Sequence, residues 1–190
     1  LLLPQGLRRK TEYTLFFHKR QNVFGSCRAL LTEPKHFSLS LLRVQIKVDS
    51  RYPETILAAM ATQLHTLTVG PFMENCYLYW DDTSSDAVVI DPGDEAERIL
   101  EEIRRRQLNV RAILLTHGHL DHIAAVGEIK DALDVPIYIG RGEEILLSDP
   151  GANGSAAYGM PITAPPADKL LDHEDVVQLG TIRLLVLATP

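Results

Sequence analysis

The sequence predicts an α/β domain in which helices pack on a β-sheet. From residue 60 onward, short apolar runs typical of strands alternate with segments whose apolar residues recur at helical spacing. Gly, Pro and Asp residues separate these segments and mark turns. The 190 residues, 45% of them hydrophobic and 23% charged, suffice for the core of one soluble domain. No apolar run approaches the roughly 18 residues that a membrane span needs.

The first 59 residues differ in character from the rest. Residues 1–59 contain ten Lys and Arg against four Asp and Glu, whereas residues 60–190 contain nine against twenty-one. The first part shows no sustained strand or helix period. This predicts an unassigned, disordered basic extension that does not pack on a domain formed by residues 60–190. A transit peptide and a nucleic-acid-binding tail are weaker alternatives for this extension.

The domain is predicted to begin with a β-hairpin. Residues 64–69 and 76–80 alternate or cluster apolar side chains in the manner of strands, and a Gly-Pro pair supplies the turn between them. Residues 87–91 form a short apolar strand that a Pro-Gly pair ends. Asp94 is predicted to cap the next helix, with Glu97 three residues later. The buried face of that helix is predicted to contain Ala96, Ile99, Leu100 and Ile103.

The rest of the domain continues the alternation. A strand at 110–115, a helix, a strand at 135–139 and a short helix at 143–147 are predicted in that order. The first of these helices is predicted to bury Ala125, Ile129 and Leu133. Residues 148–167 are rich in Gly, Ala and Pro and too long for a simple connection, which is typical of functional or mobile loops. Two further strands, at 176–179 and 181–188, are predicted to meet at a tight turn.

Four side chains that can bind metals lie within six residues, directly after the predicted strand at 110–115. They are His117, His119, Asp121 and His122. Imidazole and carboxylate groups suit zinc, iron or manganese, and this set supplies ligands for more than one ion. A polar loop with incidental histidines is the alternative, which four candidates in six residues disfavour.

Nucleophilic catalysis by serine or cysteine fits the sequence poorly. No GxSxG motif occurs, and neither Cys27 nor Cys76 lies in a recognisable catalytic setting. The two cysteines form no CxxC pair and no disulfide framework, which favours a reducing compartment, the cytoplasm.

Three segments carry a resemblance to the metallo-β-lactamase superfamily, specifically to its glyoxalase II-like hydrolases. They are THGHLDH at 116–122, VVIDPGDE at 88–95 and GPFMENCYLYW at 70–80. The resemblance covers residues 60–190. It implies a metallo-β-lactamase-like αββα sandwich, of which the N-terminal half and the start of the second half are present.

The resemblance also implies a site for two divalent metal ions at one edge of the two sheets. His117 and His119 would bind the first metal, and Asp121 and His122 the second. Asp121 is also the predicted catalytic residue. Zinc is the expected metal, with iron or manganese as alternatives. Asp91 would be a neighbour of the site, or else only a residue that ends its strand.

In such relatives, a strand resembling TIRLLVLATP at 181–190 leads into a Gly-His-Thr-Pro-Gly turn whose histidine completes the first metal site. A bridging aspartate and a last histidine follow further on. We therefore expect the domain to be incomplete at its C-terminus and the 190-residue chain to be a poor catalyst. His173 lies in DHED before a predicted strand and is interpreted as a solvated turn histidine, and His65, His18 and His36 have no ligand neighbours in sequence.

The function implied by the resemblance is hydrolysis of a thioester or similar small acyl substrate by a metal-activated hydroxide. A lactonase or β-lactamase, a sulfur dioxygenase using one iron, and an inactive fragment are the alternatives. A nucleic-acid phosphodiesterase is disfavoured because the excess of acidic residues in 60–190 would repel phosphates. The predicted partner is thus a small-molecule substrate, with no nucleic acid and no membrane, and the oligomeric state is open.

Overall fold

A computed structural model of the protein describes residues 13–18 and 62–189, which form two sheets and four short α-helices. The strands are β1 (Tyr13–His18), β2 (Thr62–Val69), β3 (Glu74–Asp81), β4 (Asp86–Ile90), β5 (Asn109–Leu115), β6 (Ile137–Gly140), β7 (Lys169–Leu171), β8 (Val176–Leu179) and β9 (Ile182–Thr189). The helices are α1 (Ala96–Arg105), α2 (Leu120–Ile123), α3 (Val126–Leu133) and α4 (Glu144–Ser148), with a 3-10 turn at Ser155–Tyr158.

The larger sheet has six strands in the order β2-β3-β4-β5-β6-β7. Strands β2, β3 and β4 are antiparallel neighbours, whereas β4, β5, β6 and β7 run parallel. The smaller sheet has the order β1-β9-β8, with β1 parallel and β8 antiparallel to β9. Because β4 to β7 are parallel, the loops that leave their carboxyl ends lie along one edge of the larger sheet.

Strand β4 shows why the larger sheet is buried on both faces. Ala87 and Val89 point to the core that the helices cover, and Val88 and Ile90 point to a second core against the smaller sheet. All five residues of β4 are buried, as expected for a strand inside a layered fold. Burying each large apolar side chain of this kind stabilises the fold by about 1.5–3 kcal/mol.

The expected sandwich of two sheets is confirmed, with helices on the outer face of the larger sheet. The predicted apolar face of α1 is buried in this helical core, and so are Ala125 and Ile129, while Leu133 packs at its margin. The smaller sheet contributes Val177, Leu179, Ile182, Leu184 and Val186 to the core between the sheets. Within the described ranges, no helix combines the length and apolar character that crossing a membrane requires.

The structure corrects the predicted start of α1. The residue before the helix is Glu95, in a left-handed conformation with φ 54°, and no side chain caps the helix. Asp94 instead accepts a hydrogen bond from the adjacent Glu95 backbone N–H, at 2.6 Å. The Glu95 carboxylate accepts one from the Gly70 N–H at 2.9 Å and thereby joins the hairpin turn to α1. A tertiary contact therefore replaces the local capping box.

Three further elements differ from the sequence prediction. The helix predicted after the histidines is two helices, α2 and α3, which meet where the Ala125 N–H donates to the Pro92 carbonyl. Strand β7 and the 3-10 turn were not predicted, since three or four residues are too few to show a period. Most of 148–167 is an irregular loop, anchored by the buried Asn153, whose amide donates to the carbonyls of Leu146 and Ile162.

Strand β1 lies inside the segment 1–59, for which the sequence showed no sustained period. Its six residues pair in parallel with β9, from Tyr13 opposite Leu184 to His18 opposite Thr189. This pairing differs from the expectation that the segment does not pack on the domain. The other residues of 1–59 lie outside those that the structure describes, so the division of the chain near residue 60 stays a prediction.

A buried carboxylate joins the two sheets at the amino end of β4. Asp86 accepts hydrogen bonds from Arg111 Nε at 2.6 Å and Asn109 Nδ2 at 3.1 Å, both on β5. Its second oxygen accepts from the Thr181 N–H at 2.9 Å, in the β8–β9 turn. Gly180 in that turn has φ +60°, and a Cβ on it would overlap the Asp86 carboxylate. The predicted turn between β8 and β9 therefore also holds the smaller sheet against the larger one.

Candidate metal centre

The predicted site residues lie at the carboxyl ends of β4 and β5. Asp91 directly follows β4, and Thr116 and His117 directly follow β5. His119 precedes α2, which carries Asp121 and His122 in its first turn. The carboxyl edge of a parallel sheet is where loops converge, so residues distant in sequence meet there.

Asp91 is the central polar group of this edge and is only 1% exposed. One oxygen accepts a hydrogen bond from the Thr116 N–H at 2.7 Å, and the other accepts one from Thr116 Oγ1 at 2.6 Å. His122 Nδ1 lies 3.1 Å from that second oxygen. Its N–H does not point straight at the oxygen, so this contact is electrostatic rather than a linear hydrogen bond. Asp91 thus ends its strand, with φ 48°, and also contacts the site.

The hydrogen bonds of Thr116 determine the tautomer of His117. Thr116 has one hydroxyl proton, and the contact with Asp91 uses it. The 3.1 Å contact between Thr116 Oγ1 and His117 Nδ1 therefore needs the proton on His117 Nδ1. This tautomer places the ring lone pair of His117 on Nε2, the nitrogen that would bind a metal. A proton on His122 Nδ1, beside Asp91, leaves its Nε2 available in the same way.

The three imidazole rings of the cluster lie against one another. The ring centroids of His117 and His122 are 4.0 Å apart, and those of His117 and His119 are 4.7 Å apart. His122 is buried, whereas His117 and His119 are half-buried. The structure therefore places the three imidazole rings side by side.

Glu74 is a site residue that the sequence reasoning missed. It begins β3, and its Oε2 lies 3.6 Å from His122 Nε2, while Asp121 Oδ2 lies 3.7 Å from the same nitrogen. One oxygen or nitrogen atom from each of Glu74, Asp121 and His122 lies within 4.8 Å of the others. The only signal in the sequence was its place in GPFMENCYLYW, far from the histidines along the chain.

The electrostatics of this cluster favour a cation. Burial lowers the pKa of His122, but Asp91, Glu74 and Asp121 outweigh burial and raise that pKa to about 9. Burial also raises the pKa of the Glu74 carboxyl group. Three carboxylates around one imidazole stabilise positive charge at its position.

Close backbone packing holds the loop after β4 against α2. Gly93 lies so near the Asp121 carbonyl that a Cβ on Gly93 would overlap it. Glycine is required at this position because both contacting groups are backbone and neither can rotate away.

An open pocket of about 70 Å³ adjoins the site. Its lining is mostly apolar and comes from the β2–β3 turn, from the loop after β4, from α2 and from the loop at 148–167. The residues are Val69, Gly70, Pro71, Phe72, Gly93, Asp94, Leu120, Asp121, Ala124, Met160 and Ile162. At the rim, Phe72 meets Tyr158 edge to face, with ring centroids 5.2 Å apart. The long loop therefore contributes to a pocket beside Asp121.

Two other histidines lie away from the site, as expected. His65 Nε2 contacts Glu102 at 3.2 Å on the outer side of α1. His173 is exposed in the turn before β8, where its Nδ1 accepts a hydrogen bond from the Ala188 N–H. His36 lies outside the described residues, and no side chain is described for His18.

Comparison with known proteins finds one matching family model and several similar proteins. The family model described as "Metallo-beta-lactamase superfamily" matches residues 69–190. The probable metallo-hydrolase YqgX of Bacillus subtilis is 37% identical over 125 residues, which are 65% of this chain and 58% of that protein. The hydroxyacylglutathione hydrolase GloC of Haemophilus influenzae is 33% identical over 129 residues, 67% of this chain and 60% of that protein. The chain spans about 60% of the length of these curated relatives.

Two solved structures are also similar to this chain. The BLEG-1 B3 metallo-beta-lactamase has 40% sequence identity and a TM-score of 0.61, over 64% of this chain and 58% of that chain. TTHA1623, solved in a di-iron-bound form, has 37% identity and a TM-score of 0.51, over 61% of this chain and 57% of that chain.

Proposed function

Because the chain belongs to the metallo-beta-lactamase superfamily, we propose that it is a hydrolase that holds two divalent metal ions at the edge formed by β4 and β5. The proposed ligands are His117 and His119 for the first metal and Asp121 and His122 for the second. Zinc is the proposed metal. Iron is the main alternative, because TTHA1623 was solved with two iron ions.

The separations between donor atoms around His122 support the proposed position of the second metal. His122 Nε2 lies 3.6 Å from Glu74 Oε2 and 3.7 Å from Asp121 Oδ2. Two ligand atoms of one tetrahedral zinc, each about 2.1 Å from it, lie about 3.4 Å apart. The observed separations are within a few tenths of an ångström of that value. Imidazole and carboxylate donors match the ligand preferences of zinc and iron.

When bound, a divalent ion here supplies Lewis acidity, which lowers the pKa of water and polarises a carbonyl oxygen. The chain supplies orientation and charge. Asp91 contacts His122 Nδ1 directly and His117 Nδ1 through Thr116, so Nε2 is the nitrogen of each ring that would bind a metal. Asp121 is the proposed catalytic residue. Its side chain is 27% exposed and lines the pocket, where its carboxylate can accept a proton from an incoming water molecule.

The proposed substrate is a small acyl thioester. Hydrolysis adds water across its carbonyl–sulfur bond and releases a carboxylic acid and a thiol. The pocket suits the acyl part because Phe72, Leu120 and Ile162 provide apolar contacts beside Asp121. The relatives named hydroxyacylglutathione hydrolase also support this substrate class. β-Lactam hydrolysis is a second candidate, favoured by the 40% identity to the BLEG-1 enzyme.

The test uses the longest form of the protein that its gene encodes. Metal content would be measured by elemental analysis after expression with added zinc, iron or manganese. Initial rates would then be compared for an S-hydroxyacyl glutathione, a β-lactam and a lactone, with oxygen uptake on a persulfide as a check for dioxygenase activity. We expect about two metal equivalents and the highest kcat/KM with the thioester.

Two variants make this test specific. His119→Ala should lower both metal content and thioester hydrolysis, whereas Glu128→Gln, an exposed change on α3, should alter neither. Absence of metal after supplemented growth would contradict the proposed site. A preference for the β-lactam, or oxygen uptake without hydrolysis, would replace the proposed substrate class.

A further inference from the structure

Two aromatic side chains meet at the mouth of the pocket beside Asp121. Phe72, in the β2–β3 turn, lies edge to face against Tyr158, the last residue of the 3-10 turn, with ring centroids 5.2 Å apart. The metal chemistry proposed above uses neither ring. We propose that Phe72 and Tyr158 are specificity-determining residues that restrict the pocket to short, uncharged acyl groups. This inference rests on the proposed function, because it concerns the substrate of the same site.

Hydrogen bonds hold the backbone on both sides of the pocket mouth. In the β2–β3 turn, the Met73 N–H donates to the Gly70 carbonyl at 3.2 Å, and the Gly70 N–H donates to Glu95 Oε1 at 2.9 Å. On the other side, the buried Ser155 begins the 3-10 turn, and its hydroxyl accepts a hydrogen bond from the Ile162 N–H at 2.9 Å. Rings carried by held segments define the width of a pocket better than rings on free loops do.

The pocket has room for a short acyl group only. Its volume is about 70 Å³. Because one water-sized group needs roughly 10–15 Å³ of such space, about five non-hydrogen atoms fit, as in a butanoyl group. Tyr158 is 60% exposed, and Met160, which lines the pocket two residues further on, is 46% exposed. A longer acyl chain therefore reaches the pair formed by Phe72 and Tyr158 and must displace one of the two rings.

The charges along the pocket disfavour an acyl group that carries a carboxylate. The charged lining residues are Asp94 and Asp121, and none of the lining residues that the structure describes is Lys or Arg. A carboxylate on the acyl group would therefore lose water in the pocket without gaining a basic side chain as a partner. The half-buried Asp94 carboxylate adds repulsion to that cost. An uncharged acyl group avoids both penalties.

The experiment compares glutathione thioesters that differ only in the acyl group, using the zinc-loaded, longest form of the protein that its gene encodes. The substrates are S-acetyl, S-butanoyl, S-octanoyl and S-succinyl glutathione, and kcat/KM is measured for each. Tyr158→Ala and Phe72→Ala each remove one ring, whereas Tyr158→Phe keeps it. Ile145→Ala is the matched control, because Ile145 is 57% exposed and does not line the pocket.

Specificity is read as the ratio of two kcat/KM values from one preparation, so a variant that folds only in part still gives its own ratio. We expect the unaltered protein to prefer the butanoyl thioester over the octanoyl and the succinyl thioesters by at least about 10-fold each. Tyr158→Ala and Phe72→Ala should each lower the butanoyl-to-octanoyl ratio by at least about 5-fold. Tyr158→Phe and Ile145→Ala should leave that ratio unchanged.

Two results would overturn this inference while the proposed function stands. One is an unaltered protein that hydrolyses the octanoyl or the succinyl thioester as efficiently as the butanoyl thioester. The other is a butanoyl-to-octanoyl ratio that stays the same when either ring is removed. If the unaltered protein hydrolyses none of the thioesters, this inference and the proposed substrate class are both wrong.

Discussion

The two ends of strand β4 each carry a buried aspartate, yet the two carboxylates have different partners. Asp86, at the amino end, is 4% exposed and accepts hydrogen bonds from Asn109, Arg111 and Thr181. Asp91, just beyond the carboxyl end, is 1% exposed and contacts Thr116 and His122. Asp86 faces the Arg111 guanidinium and the Thr181 backbone N–H. Asp91 faces the His122 imidazole, which in turn lies near the carboxylates of Glu74 and Asp121.

This difference follows from the direction of the strands. Strands β4 and β5 are parallel, so the loops after both strands meet at the carboxyl edge and bring Thr116, His117 and α2 beside Asp91. At the amino edge, the neighbours of Asp86 are the first residues of β5 and the turn of the smaller sheet. The amino edge therefore stabilises the contact between sheets, whereas the carboxyl edge assembles a site. A change at the amino edge should therefore reduce stability alone, whereas a change at the carboxyl edge should also reduce metal binding.

The largest effect is expected from Gly93→Ala at the carboxyl edge. The new Cβ would overlap the Asp121 carbonyl, and backbone on both sides leaves no room for relief. We expect a loss of about 3 kcal/mol in the free energy of unfolding and at least a 10-fold loss in zinc affinity. Denaturant unfolding and chelator competition would measure these two quantities.

Gly180→Ala is the matched change at the amino edge. Its Cβ would meet the Asp86 side chain in a residue with positive φ, so stability should fall while zinc affinity stays unchanged. A loss of zinc affinity in Gly180→Ala as large as that in Gly93→Ala would show that the two edges are not separate.

The next effect is expected from Asp91→Ala. It leaves the Thr116 N–H and the Thr116 hydroxyl without their acceptor and removes the carboxylate beside His122 Nδ1. Residues that orient metal-binding histidines typically affect affinity by about 10- to 100-fold, and an unsatisfied buried group costs about 1–3 kcal/mol. Titration of zinc and denaturant unfolding of the same preparation give both numbers. Unchanged zinc affinity would mean that Asp91 only ends its strand.

Asp86→Ala should reduce stability without reducing metal affinity. It removes the acceptor of Arg111 and the Thr181 N–H, but Arg111 is 45% exposed and can turn to water. The free energy of unfolding should therefore fall by about 2 kcal/mol, near the middle of the range for a lost buried partner. Equal effects of Asp86→Ala and Asp91→Ala on zinc affinity would contradict the contrast between the two edges.

The smallest effect concerns the pH dependence of stability. Burial alone would raise the pKa of Asp86, but the Thr181 N–H and the Arg111 guanidinium outweigh burial and hold that pKa below its ordinary value. A lowered pKa in the folded state contributes stability above the unfolded value, about 3.9, and that contribution is lost as pH falls through the folded pKa. Asp86→Asn should therefore lose less stability than the unaltered chain between about pH 5 and pH 3. Parallel stability curves would show that Asp86 does not contribute.

Several features of this protein followed from the sequence alone, because they are local. Alternation and helical spacing predicted β2 to β5, β8, β9 and the buried face of α1. The cluster from His117 to His122 could be recognised because its members are close along the chain. The αββα sandwich followed from the resemblance, and the match to the family model over residues 69–190 confirms it. The ligand roles of the cluster stay predictions.

Only the tertiary structure decided the features that depend on residues distant in sequence. Glu74 joins the site because β3 and β4 pair side by side, and no local pattern marks one glutamate among many. The predicted cap of α1 is absent: the Glu95 carboxylate accepts hydrogen bonds from the Gly70 N–H across the fold and from the Arg98 guanidinium, and no side chain caps the first turn. Asp86 and Asp91 look alike in sequence, each at an end of one apolar strand. Their partners differ because parallel pairing brings loops together at the carboxyl edge and the second sheet closes the amino edge.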